Sequence, residues 1–238
     1  MKKSREVLKS GNLLQGREAV LLEGLGQKFK NKTYLNLDTT LEIARQKLAD
    51  RNPHEVCWRA SVKYDEGAQE FVVPFLNEDY RVTYPSGEVY HPEGKNVSLD
   101  TQILILHYLY HAEGVPLHHK WISFKELPSG QIYVTPFHNR AIRPLIRYFG
   151  NNPSALIKAG LALGGEKREF GDASVTIPVF PMVPVTYVVW EGDDEFPPSG
   201  NVLFDGSARH YLPTEDYAVI GSKVVFELKK VAEQLNES

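Results

Sequence analysis

The spacing of apolar positions changes along the chain, and each change marks a different kind of element. In "NLDTTLEIARQKLADRNP", Leu41, Ala44 and Leu48 recur at helical spacing, with Asp38 placed to cap the start and Pro53 to stop the run. The preceding "REAVLLEGLGQKF" has the same period, weakened by Gly24 and Gly26. From Glu55 to Tyr90 the period shortens to two. "VCWRASVKY", "EFVVPF", "DYRVTY" and "EVYHP" are rich in β-branched and aromatic residues and are separated by "DEGAQ", "LNE" and "PSG". This pattern predicts a meander of about four antiparallel strands. "LDTQILILHYLYHAEG" then departs from both patterns, being apolar on nearly every face. Ser98 or Asp100 caps it, Gly114 and Pro116 end it, and the absence of a polar face predicts a helix buried in the interior.

Further on, "WISFKELPSGQIYVTPF" turns at Pro128 to Gly130. The amphipathic "NRAIRPLIRYFG" and "NPSALIKAGLALGG" then predict two short helices, the second capped by Asn152 with Pro153 in its first turn. Ala173 to Asp205 returns to strands, "ASVTIPVFPMVPVTYVVW" and "NVLFD", where the prolines predict that at least one strand is an edge. "PTEDYAVIGSKVVFELKKVAEQL" closes as a helix. Helices and antiparallel strands occupy separate blocks, so the fold class is α+β, with antiparallel sheets, segregated helices and one buried central helix. The expected organisation is an N-terminal helical segment over 1–37 and a single α+β domain over 38–238.

Composition narrows the function classes. With 42% apolar and 24% charged residues the 238-residue chain has the balance of an ordinary globular protein. Its 27 basic and 30 acidic side chains are dispersed, with no basic stripe of the kind that nucleic-acid phosphates demand. "AVLLEGL", interrupted by a glutamate and a glycine, reads as neither signal peptide nor membrane span, and the expected address is cytoplasmic. The single cysteine, Cys57, excludes an intramolecular disulfide and an iron–sulfur cluster held by four thiolates of this chain.

The densest chemistry lies in "HYLYHAEGVPLHH". His107 and His111 stand four apart and share one helical face, a spacing that can grip a metal. The zinc-protease pattern fails because Tyr-Leu-Tyr separates them and the catalytic glutamate is missing. One histidine could instead be the axial ligand of a haem or corrinoid, with Ile103, Leu104, Tyr108 and Tyr110 supplying an apolar wall. The competing reading is a buried histidine hydrogen-bonded to a carbonyl or carboxylate. His118 and His119 fall beyond the helix stop, and His138 and His210 are remote candidates. A second cluster, "WEGDDEFPPSGNVLFDGS", crowds Glu191, Asp193, Asp194 and Glu195 into one turn, with Asp205 after a strand. A divalent ion held by His107, His111, Asp193, Glu195 and Asp205 is one reading, and a solvated acidic turn is the other. Phosphate-loop and nucleophile-elbow patterns are absent.

"ILHYLYHAEGVPL", "WISFKELPSGQIY" and "FGDASVTIPVFPMVPVTYVVWEGDDEFPPSGNVLFDGSARHYLPTED" together resemble a family of anaerobic bacteria and archaea catalogued as domain of unknown function three-seven-eight-six. The resemblance runs from about Asp38 to the C-terminal helix and implies a setting of one-carbon and corrinoid metabolism, with a corrinoid or iron–sulfur protein as partner. It favours His107 over the loop histidines and brings Trp121 and Trp190 forward as cofactor-contacting residues. The expected function is therefore a cofactor-binding protein of anaerobic metabolism that takes a tetrapyrrole, corrinoid before haem, through a helix histidine. The alternatives are a divalent-metal-dependent hydrolase and a ligand-free accessory module.

Overall fold

The computed structural model describes residues 37–237. The weakly helical stretch before them lies outside the described residues. By its internal contacts the chain divides between Ile43 and Ala44, within the first described helix, and every later element belongs to the unit from Ala44 onward.

The first described helix, α1, covers 37–49 and is already formed at residue 37, so Asp38 lies inside it and is not its cap. Pro53 does not merely stop a helix. It opens the next one, α2 (Pro53–Ala60), where Asn52 accepts from the backbone N–H groups of His54 and Glu55. A missing N–H costs nothing in a first turn, so a proline that ends one helix serves equally to begin another. Most of "VCWRASVKY" is accordingly helical, a correction to the strand expected there. Only its end, β1 (Lys63–Asp65), is extended.

β1, β2 (Glu70–Phe75), β3 (Glu78–Thr83) and β4 (Val89–Tyr90) form the expected four-stranded antiparallel meander, in chain order. Phe71, Val73, Phe75 and Val82 bury one face, the period-two pattern read from the sequence. α3 (Leu99–His111) is the buried central helix. Its Tyr108 is fully enclosed, donates to Ala60 O at 2.6 Å, accepts from Met182 N at 3.1 Å and stacks on Phe180 at 4.3 Å. One side chain thus ties α2, α3 and the large sheet together.

The large sheet has the order β5-β9-β8-β7-β6, all antiparallel, from β5 (Trp121–Ser123), β6 (Glu166–Arg168), β7 (Ala173–Phe180), β8 (Val183–Trp190) and β9 (Ser199–Asp205). Both proline-bearing strands, β7 and β8, are interior, against the edge position expected for one of them. Pro178 and Pro184 face each other near the hairpin end, where the register shifts, so the missing donors fall where the ladder is already irregular. Between β5 and β6 run α4 (Gly130–Phe137), a π-helical stretch (His138–Ile142), α5 (Arg143–Phe149) and α6 (Pro153–Ala162). Asn152 accepts from Ala155 N ahead of Pro153, the start signal read from the sequence.

One face of the large sheet, including Val175, Ile177, Val185, Tyr187 and Val202, is buried. α6 reaches it closely because Gly160 has no side chain; a Cβ there would sit 2.4 Å from Val175. α7 (Thr214–Glu237) crosses the same face, with Tyr217 edge-on to Phe204. No described helix is long and apolar enough to cross a membrane. The fold class is α+β.

Candidate functional site

The two histidines of α3 come together as their spacing requires, with ring centroids 5.7 Å apart and the planes nearly perpendicular. They differ in what holds them. His107 Nδ1 donates to Asp216 Oδ2 at 2.6 Å, and both side chains are almost out of solvent. Asp216 lies in the first turn of α7, where a carboxylate is favoured by the helix dipole. Burial pushes its carboxyl above the usual range, against the pull of His107. The hydrogen bond fixes the ring and commits Nδ1, leaving Nε2 without a partner among the described residues.

His111, at the end of α3, has no hydrogen bond to either ring nitrogen among the described residues. Burial, then the proximity of His107, Lys47 and Arg51, holds its pKa down to about 4. It is therefore neutral near pH 7 and offers a lone pair. Tyr110 lies tilted over it at 4.3 Å and is itself mostly buried, its phenol pushed up to about 12 by that burial and by Asp216. His111 and Tyr110 line an open pocket of about 370 Å³ with Lys47, Asp50 and Arg51 from the end of α1 and the bend after it. Lys47 Nζ stands 5.2 Å over the Tyr110 ring.

The other sequence candidates lie elsewhere. Tyr108 belongs to the core, as do Ile103 and Leu104, so of the proposed apolar wall Tyr110 alone lines the pocket. Trp121, half-buried on the edge strand β5, lines a separate pocket with His119, Arg168, Glu169 and Phe170, and Trp190 is exposed at the end of β8. Asp193 and Glu195 sit in an exposed turn where Asp193 Oδ1 accepts from the backbone of Glu195 and Phe196, the solvated reading of that loop. Asp205 is buried and accepts from the backbone N–H groups of His118, His119 and Ser207. Its oxygens serve the main chain. The imidazoles of His118, His119 and His138 are exposed, while His210 pairs with Glu113 at 2.6 Å. Among the described residues no three His, Cys, Asp or Glu side chains are grouped as metal donors.

Sequence reasoning did not find Asp216, Lys47, Asp50 or Arg51. Asp216 is 109 residues from His107, and only the packing of α7 on α3 pairs them. Its position in the acidic first turn after Thr214 was visible, but nothing local says which imidazole it meets.

No curated protein and no solved structure matches the chain. A family model described as Domain of unknown function (DUF3786) matches residues 52–227, a span that includes His107, His111 and Asp216, and the chain belongs to that family.

Proposed function

We propose that this protein binds a metal-centred tetrapyrrole, a corrinoid or a haem, with His111 as the axial imidazole and the His107–Asp216 pair as its positioning support. The observation that carries this reading is a neutral histidine with no hydrogen-bond partner among the described residues, lining a pocket and braced by a second, carboxylate-anchored histidine. A bare zinc or similar ion wants about three or four protein donors. A tetrapyrrole brings four nitrogens of its own and needs one imidazole, which matches a two-histidine arrangement with no third donor grouped beside it among the described residues.

At about 370 Å³ the pocket is near the lower end for ligand sites, about 300–1,000 Å³. It would seat one face of a macrocycle and leave the other open. An open face suits a cofactor that meets a partner, such as the corrinoid or iron–sulfur protein expected from the anaerobic setting, and a cytoplasmic location belongs to the same proposal.

Titration of the purified protein with hydroxocobalamin and with haemin, followed by absorption, tests the reading. Saturable shifts at one equivalent are expected with at least one of them, and their loss in a folded His111→Ala variant. A folded wild-type protein that shifts neither spectrum overturns it.

A further inference from the structure

The middle of α4 sits where its composition does not belong. "QIYVTP" carries no charge, yet all six residues from Gln131 to Pro136 are exposed, Ile132 at 75%. Six residues pass more than once round a helix of about 3.6 residues per turn, so no face of the segment is turned into the core. The two ends of α4 are fixed instead. Gly130 lies so close to the Phe124 carbonyl that a Cβ would sit 2.0 Å from it, and the Phe137 ring stacks on Phe124 at 4.0 Å. An open hollow of about 450 Å³, lined by Val134 together with Ile142 and with Gly200 and Asn201 of β9, leaves the helix standing off the sheet.

The surrounding chain is charged with one sign. Between Glu113 and Glu166 it has six basic residues and one acidic, Glu126, against 27 and 30 in the whole. Lys125 precedes α4, Arg140 and Arg143 follow it, and all three are exposed with no ion-pair partner among the described residues. Glu126 is committed to the N–H and hydroxyl of Ser123.

An uncharged helix exposed on every side calls for a medium that surrounds it. A protein groove covers one face of a helix, whereas the interface of a bilayer closes around the whole segment. Cations at both ends suit the phosphates of an anionic surface. A second copy of this chain would bring those same cations against one another. We propose that α4 is a membrane-surface anchor: Ile132, Tyr133 and Val134 enter the interface of an anionic leaflet, and Lys125, Arg140 and Arg143 meet its head groups. Tyrosine suits that depth, having an apolar ring and a polar tip. With eight residues α4 is far too short to span a bilayer, so the attachment is peripheral and reversible. It is independent of any ligand at His111.

The test is co-sedimentation of the purified protein with vesicles of phosphatidylcholine alone and of phosphatidylcholine with about one third phosphatidylglycerol, at about 50 mM and about 500 mM salt. Binding is expected to the anionic vesicles only, and weaker at the higher salt. Ile132→Ser/Tyr133→Ser changes exposed positions that folding does not depend on, and should weaken binding by about tenfold or more. Lys125→Gln/Arg140→Gln/Arg143→Gln should weaken it by about 100-fold, as loss of three surface cations does. A Tyr133→Trp variant should be quenched by brominated lipid more than the wild type, whose three tryptophans lie outside α4, a result that adhesion through another face would not give. Binding to neither vesicle, equal binding to both, full binding by a folded Ile132→Ser/Tyr133→Ser variant, or no added quenching at position 133 overturns the proposal. So does a dimer in sedimentation velocity that the same double variant makes monomeric, which would assign the helix to a second copy.

Discussion

The chain carries two histidine pairs within thirteen residues, His107 with His111 and His118 with His119, and each is organised by a buried aspartate. Asp216 accepts from an imidazole ring, whereas Asp205 accepts from the main chain of its pair and leaves the rings in solvent. The same two residue types therefore do different work. In the helix pair the carboxylate orients a side chain and leaves a ring nitrogen for something else. In the loop pair it fixes the path of the backbone from α3 to β5, and the histidine identity is incidental.

The largest effect separating the two is on stability. Asp205→Ala removes the acceptor for three backbone N–H groups in a buried position, and should cost about 3–5 kcal/mol, or about 10 °C in Tm, read by thermal and urea denaturation. A loss below about 1 kcal/mol would show that water or a rearranged loop satisfies those donors, and the contrast between the two aspartates would weaken. Asp216→Asn should leave stability within about 1 kcal/mol, because an amide can still bond the ring. If His111 ligates as proposed, the same change should weaken macrocycle binding by about 10-fold, the low end for a carboxylate that orients a ligand, because Asp216 reaches His111 only through the His107 ring. If Asp216→Asn instead unfolds the protein with ligand affinity unaffected, Asp216 is a structural residue like Asp205.

The ease of reading these regions from sequence also differed. The buried nature of α3, the meander and the Asn152–Pro153 helix start were visible because period, caps and turn residues are local properties. The helix over "PHEVCWRA" was not, since valine, cysteine and tryptophan suit a strand as well and tertiary packing decides between them. Pro178 and Pro184 misled for a related reason: a proline's lost donor matters only relative to a partner strand the sequence does not identify. At the site, the i, i+4 spacing of His107 and His111 was legible. Asp216 and the cations of the α1 end were not, because they meet α3 only through packing, and Tyr108 reads as a pocket wall from sequence because a helix apolar all round gives no indication of which way its residues face.

Between these effects lies a pH dependence that runs through His111. The pKa of His111 is depressed to about 4 in the folded state, against about 6.5 unfolded. The unfolded chain thus binds more protons between those values, and stability falls as pH drops from about 6.5 toward 4. With allowance for solvent screening the loss is about 1–2 kcal/mol. Asp216 acts with the opposite sign: its raised pKa favours the folded state at low pH, and that contribution is lost as pH rises through it. At Asp205 burial alone would raise the pKa, but the hydrogen bonds from Ser207, His118 and His119 outweigh it and hold it below the usual range. Its contribution is present above the unfolded value and disappears only in stronger acid. Urea denaturation at pH 7, 5.5 and 4.5 should therefore show a decline that His111→Gln flattens. A decline that persists unchanged in a folded His111→Gln variant would remove that contribution.

The smallest expected effect concerns the loop pair itself. Both imidazoles are exposed, so His118→Ala and His119→Ala should each change stability by less than about 0.5 kcal/mol. His119 nevertheless has φ +55°, in the left-handed region, while its N–H donates to Asp205 at 2.8 Å. If the backbone is what matters, a substitution that resists this conformation must do harm even though it touches no partner. His119→Val should then cost about 1 kcal/mol more than His119→Ala, because a β-branched side chain crowds the left-handed backbone, and His119→Gly should be at least as stable as the wild type. A ranking in which alanine and glycine are both harmful while valine is tolerated would assign the role to side-chain bulk and not to the backbone path held by Asp205.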